Sequence, residues 1–147
     1  MPEADAAARN DIIAKTIGAM PFAKALDMRV DHVGDGAAEM TMPYSPDAVG
    51  DPETGVLHGG AVSALLDSCA GAAVLCHPDV TVATATLNLR IDYMRPARPD
   101  HAIRAKATCY HVTRSVAFVR ATATEGNSDR VVATAAGAFT LQQTAMG

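Results

Sequence analysis

Asp67 is the one Asp, Glu, Lys or Arg between Glu53 and Asp79. It falls in the run Ala61-Val62-Ser63-Ala64-Leu65-Leu66-Asp67-Ser68-Cys69-Ala70, where nearly all other positions are apolar or small. A carboxylate is costly to bury unless it is paired or neutralised, and this run offers no Lys or Arg to pair with it. Charges that intrude on apolar helices cluster at functional sites, which makes Asp67 the first candidate for chemistry. The plainer alternative is a carboxylate that reaches a pocket or a backbone donor without reacting.

His58-Gly59-Gly60 opens the same run. Two glycines leave backbone N–H groups uncovered at the positive end of a helix dipole. A carbonyl oxygen that gains negative charge during acyl transfer would be stabilised by such a donor. Taken alone, the triplet is also an ordinary Gly-rich helix start. Gly60 and Asp67 lie close to two helical turns apart, so they share a face but stand about 10 Å from each other along the axis. One acyl carbon cannot sit within about 3 Å of both. If both act on one substrate they come from different copies of the chain, and the expected site straddles a dimer interface.

Thr86, Asn88 and Arg90 alternate along a β-type stretch and are expected on one face. Thr86 could orient a water or hold Asp67, and could equally be a plain β-branched strand residue. Residues 1–89 carry four Lys/Arg against twelve Asp/Glu, whereas residues 90–147 carry eight against four, within a net charge of -4. Arg90, Arg95, Arg98, Arg114 and Arg120 supply the basic half, and guanidinium forks suit phosphate oxygens. No Lys/Arg run or aromatic stripe accompanies them, so a small polyanion is expected and nucleic acid is not. Solvated strand faces with scattered Arg are the other reading. His32, His101 and His111 have no carboxylate or Cys at ligand spacing, and no metal site is expected. His77, just before Pro78, reads as a helix cap. No Gly-x-Ser-x-Gly elbow or phosphate-binding Gly-rich loop occurs.

The elements that must position these residues follow from periodicity and turn chemistry. An amphipathic helix is expected over about 5–19, with Ile12, Ile13 and Ile17 on one side. Residues 20–26 form a short apolar connection. Two strands, 28–33 and 37–43, flank the turn Gly34-Asp35-Gly36. Residues 44–55 are rich in Pro, Asp and Gly and should be a loop. Residues 59–76 read as a helix that is apolar all round, hence buried, and Pro78 forbids easy continuation. Four strands follow, at 82–94, 102–112, 115–124 and 130–141, with Thr, Val and Ala alternating with Arg as in sheets with one buried face. The expected class is α+β, a sheet wrapped around a central helix, in a single domain. Residues 1–26 would form the N-terminal helix and connection, and 27–143 the core.

With hydrophobic residues at 49% and charged residues at 19%, the composition fits a globular chain. Aromatics are only 4%, so the core must be aliphatic. No apolar run approaches the roughly 20 residues that span a bilayer, and no secretory signal's apolar stretch is visible. Cys69, Cys76 and Cys109 are odd in number and lack paired zinc spacing, which favours reduced thiols in the cytoplasm.

Gly55-Val56-Leu57-His58-Gly59-Gly60, then Asp67, then Leu89-Arg90-Ile91-Asp92-Tyr93-Met94-Arg95-Pro96, resembles the PaaI-like acyl-CoA thioesterases of the hotdog superfamily. Thr113-Arg114-Ser115-Val116-Ala117-Phe118-Val119-Arg120 and the closing Ala136-Gly137-Ala138-Phe139-Thr140 are similar to that family as well. The resemblance covers roughly residues 28–141. It implies a long central helix wrapped by an antiparallel sheet, with dimers joined edge to edge and usually paired into tetramers. It also implies hydrolysis of an acyl-CoA, with Asp67 as general base or nucleophile, Gly60 N–H polarising the thioester carbonyl, His58 shaping that turn and Thr86 near the carboxylate. Coenzyme A would cross the subunit interface with basic residues at its phosphates, drawing on Gly59, Asn88, Arg90, Arg95 and Arg114. No cofactor is implied. Many relatives carry an Asn six residues before the His, where this chain has Pro52; Asp51 or Glu53 could take over water positioning, or no residue does. A hotdog hydratase or dehydratase, or a non-catalytic acyl-CoA binding or sensing protein, is the alternative, and thiol release from acyl-CoAs separates them.

Overall fold

The computed structural model describes residues 2–142. Helix α1 (Glu3–Ala19) and the short α2 (Pro21–Ala25) precede strands β1 (Arg29–Gly34) and β2 (Ala37–Met42). After a loop with one turn of 3-10 helix at Pro46–Ala48 comes α3 (Gly59–Leu75). Strands β3 (Ala83–Tyr93), β4 (Ile103–Val112), β5 (Val116–Glu125) and β6 (Val131–Gln142) complete the chain. The expected elements are all present, with ends within a residue or two. Gln143, the last residue of the expected core, lies outside the described residues.

The strands form one six-stranded sheet in the order β1-β2-β4-β5-β6-β3. Every pairing is antiparallel. The sheet wraps α3, which buries Val62, Leu65, Leu66, Cys69, Ala70 and Ala73 against it. This is the hotdog arrangement. Met40, Met42, Ile103, Val119 and Phe139 come up from the strands to fill the interior. Small residues on both layers let helix and sheet approach closely, and an aliphatic core results. Cys69 lies at the centre with its Sγ facing the carbonyls of Ala38 and Ala105. Burial pushes its thiol up to about 12, so it is neutral and unreactive.

The expectation that α3 is buried all round needs correction. One sheet covers one side of a helix, and Ser63, Ala64, Asp67, Ser68, Gly71 and Leu75 form a half-buried stripe on the uncovered side. Asp67 therefore meets a groove and a cavity rather than the core.

Helix α1 is tied down by Arg9. Its guanidinium donates to the carbonyls of Leu75 at 2.6 Å and His77 at 3.4 Å, and also to that of Val80. These are carbonyls at and beyond the C-terminus of α3, where a cation also suits the helix dipole. The cap expected of His77 is different in kind: its Nδ1 accepts from the Asp79 N–H at 3.1 Å, shaping the turn that follows.

Candidate active site

Asp67 projects from the middle of α3 toward β3. Its Oδ1 accepts a hydrogen bond from Thr86 Oγ1 at 2.7 Å. That contact depends on an irregularity in β3. Thr86 pairs with Phe139 and Asn88 pairs with the adjacent Ala138, so one extra residue is accommodated at Leu87. The slip breaks the alternation on which the sequence expectation rested. Thr86, Leu89 and Ile91 line one groove with Asp67, while Asn88 and Arg90 do not share that face. Arg90 instead contacts Asp92 at 3.4 Å in an exposed pair.

The start of α3 is built by His58 and two glycines. His58 is the N-cap, and its Nδ1 accepts from Gly60 N–H at 2.7 Å. A Cβ at Gly60 would stand 2.8 Å from that Nδ1, so a side chain there displaces the ring. The Gly60 N–H is thus already engaged, contrary to its expected role as an open donor. The Gly59 N–H has no partner among the described residues. The Gly59 carbonyl accepts from Tyr93 Oη at 3.0 Å, which fixes the helix start to the end of β3. Tyr93 stands inside the Leu89–Pro96 motif, but nothing in the motif tells which backbone group its hydroxyl reaches.

Asp51 is not brought to this site as a free group. Its carboxylate accepts from Thr54 Oγ1 at 2.8 Å and from the Glu53 N–H at 3.0 Å. The Thr54 hydroxyl, then the Glu53 amide, hold its carboxyl below the usual range. It closes its own turn.

The arginines divide. Arg95 lines a groove with Gly59, Tyr93, Met94 and Pro96. Arg114 lies in the exposed turn between β4 and β5. Arg120 stacks over the Tyr110 ring at 4.4 Å. Arg98 is not free for a ligand, because its Nε and Nη2 donate to Glu125 Oε2 at 2.8 and 2.6 Å.

Two depressions flank Asp67. One is the open groove lined by Phe22, Gly60, Ser63, Asp67, Thr86 and Leu89. Gly60 and Asp67 share it, as the helix spacing requires, about 10 Å apart along the axis. Phe22, 62% exposed at its rim, had no signal in the sequence beyond a short apolar stretch. The other is a cavity of about 200 Å³ under the end of α1, reached past Asp67 and Thr86. No cluster of three His, Cys, Asp or Glu able to hold a metal ion occurs among the described residues. No described helix is long and apolar enough to cross a membrane.

A half-buried carboxylate held by one hydroxyl, beside a groove that also contains a helix N-terminus, can take a proton from water near a polarised carbonyl. Comparisons with known proteins find similarity to thioesterases. The medium/long-chain acyl-CoA thioesterase YigI of Escherichia coli is 29% identical over 94 residues, 55% of this chain and 61% of that protein. The chain thus spans less than two thirds of that relative. A Pseudomonas aeruginosa protein of known structure is 32% identical, with a TM-score of 0.78 and coverage of 90% of this chain and 98% of that one. The phenylacetic acid degradation protein PaaI of Thermus thermophilus, in a mutant form, is 26% identical, with a TM-score of 0.74 over 84% of this chain and all of that one. The family model described as the thioesterase superfamily matches residues 54–132, more than half the chain and the segment that holds His58, Asp67, Thr86 and Tyr93. By that match and by its fold, the chain belongs to the thioesterase superfamily.

Proposed function

We propose that the protein hydrolyses acyl-CoA thioesters, with Asp67 as general base and the N-terminus of α3 from a second copy as oxyanion donor. The observation that carries the reading is the Thr86–Asp67 hydrogen bond, which fixes Oδ1 and leaves Oδ2 to accept from a water in the groove. That water adds to the thioester carbonyl carbon as its proton passes to Asp67. The carbonyl oxygen becomes an oxyanion and is met by a backbone N–H at the positive end of the partner helix. Collapse of the tetrahedral species re-forms the carbonyl and breaks the C–S bond. The proton on Asp67 goes to the departing thiolate, giving free acid and coenzyme A.

Because His58 already accepts from Gly60, the donor role falls to Gly59, whose N–H points out of the first turn with no partner among the described residues. Arg95 beside Gly59 supplies a cation for the phosphates of coenzyme A. Support for acyl-CoA as the substrate comes from the YigI likeness.

The test is thiol release from acyl-CoAs by the wild-type protein and by Asp67→Asn. Asp67→Asn is expected to keep the fold and to lower turnover at least about a hundredfold, the scale for losing a positioned base. Near-normal turnover in a folded Asp67→Asn protein would remove Asp67 from the mechanism. A wild-type protein that binds acyl-CoA and releases no thiol would make it a binding protein.

A further inference from the structure

The cavity under α1 begins at the Asp67–Thr86 pair and ends against Ile17, Met20 and Leu75. We propose that it is the acyl subsite, that it takes an unbranched acyl group of medium length, and that Gly71 and Met20 set that length; the inference rests on the thioester reading above.

Asp67, Gly71 and Leu75 lie on one stripe of α3, at successive turns. From the first to the last the helix rises about 12 Å. An extended chain advances about 1.2 Å per bond, since three backbone bonds span about 3.6 Å, so about ten bonds fit that length. The volume of about 200 Å³ gives an independent bound. At about 30 Å³ for each water-sized group, it holds about seven. The volume is the tighter limit: about seven carbons beyond the carbonyl, the tail of an octanoyl group, which the length also admits. Ile17, Met20, Ala72, Leu75 and Phe139 supply most of the wall and carry no charge, with the hydroxyls of Ser68 and Thr84 as its polar atoms beyond the Asp67–Thr86 pair. An alkyl tail suits such walls.

Gly71 keeps the passage open. A Cβ built on it would meet only Phe139 Cε1, at 3.8 Å, an ordinary contact. The backbone therefore accepts a side chain at 71, and a long one would occupy the cavity. Met20 closes the far end from the junction of α1 and α2 and is 48% exposed. Its unbranched side chain is a movable wall whose loss opens the cavity to solvent. Ile17, at 3% exposure, belongs to the core and is a poor site for such a test.

The experiment measures kcat/KM for butanoyl-, octanoyl-, dodecanoyl- and hexadecanoyl-CoA with a thiol reagent, in the wild type, Gly71→Leu and Met20→Ala. The wild type should prefer octanoyl-CoA. Gly71→Leu should lower the octanoyl-to-butanoyl ratio at least about tenfold, and Met20→Ala should raise the dodecanoyl-to-octanoyl ratio by a similar factor, the scale on which a pocket discriminates methylenes. General loss of stability cannot move the two ratios in opposite senses. In parallel, calorimetry follows binding of butyl-, octyl- and dodecyl-CoA thioethers, which cannot be hydrolysed. Hydrolysis with both ratios unmoved in folded variants would overturn the acyl subsite and leave the hydrolase reading standing. Length-dependent thioether binding that shifts in both variants, with no thiol released from any acyl-CoA, would keep the subsite and remove the hydrolysis. Absence of both binding and thiol release would overturn both.

Discussion

Glu125 is only 1% exposed, and its carboxylate accepts from the backbone and guanidinium of Arg98 and from Arg130 Nη1. Burial acts to raise its pKa, but the Arg98 hydrogen bonds and the charges of Arg130 and Arg98 outweigh it, and the net shift is downward. A carboxylate lowered in the folded state adds stability above its unfolded pKa, about 4.3, and loses it as pH falls through the lower folded value. Glu125→Gln should therefore cost about 1–3 kcal/mol at neutral pH, less than a fully buried pair because both arginines are partly solvated. That gap should narrow as pH falls below the unfolded pKa, where the unfolded chain takes up the proton first, and close as pH passes the lower folded value. Thermal unfolding of both proteins across pH checks this, and a gap unchanged at the acid end would contradict the ionic clamp. At this scale the sequence was legible for Asp67, isolated among apolar neighbours, and for His58 beside its glycines. It was misleading for Arg98 and Asp51, whose partners, Glu125 and Thr54, emerge only when distant or local backbone closes around them.

The elements were legible because their signals are local: alternation for the strands, an unbroken small and apolar run for α3, Pro78 after its end. The bulge in β3 was not. It arises from register against β6, where a Cβ at Gly137 would stand 2.5 Å from Asn88 O and 2.9 Å from Leu89 Cδ1. The same slip turns Thr86 toward Asp67, so Gly137 positions the hydroxyl without touching substrate. Gly137→Ala should cost about 1–3 kcal/mol of stability through overpacking. It should also lower turnover about tenfold by displacing Thr86. Added to Thr86→Val it should lower turnover little further, because both act through one hydrogen bond. Fully multiplicative losses in kcat would show that Gly137 acts elsewhere. Arg9 was equally hidden, since the carbonyls it caps lie more than sixty residues along the chain. It is the residue that seats α1 over the cavity.

On the scale of the whole molecule, β3 is bonded among the described residues on one side only, to β6. Leu87, Tyr93 and Met94 along it and just beyond it are 54%, 53% and 57% exposed. Such an edge invites a second strand. The proposed chemistry makes the same demand, because the first turn of α3 and Asp67 are too far apart on one helix to serve one carbon. Complementation between two inactive variants tests this directly. Asp67→Asn removes the base, and Gly59→Pro removes the unpartnered N–H. Proline is tolerated at the first helical position, and His58 at φ -60 and ψ 133 already has the extended backbone that precedes proline. Each variant alone should be nearly inactive. Unfolded and refolded together in equal amounts, half the dimers would be mixed, each with one intact site, so about a quarter of wild-type turnover should return. If tagged mixed dimers form and no turnover returns, the site is not shared between two chains.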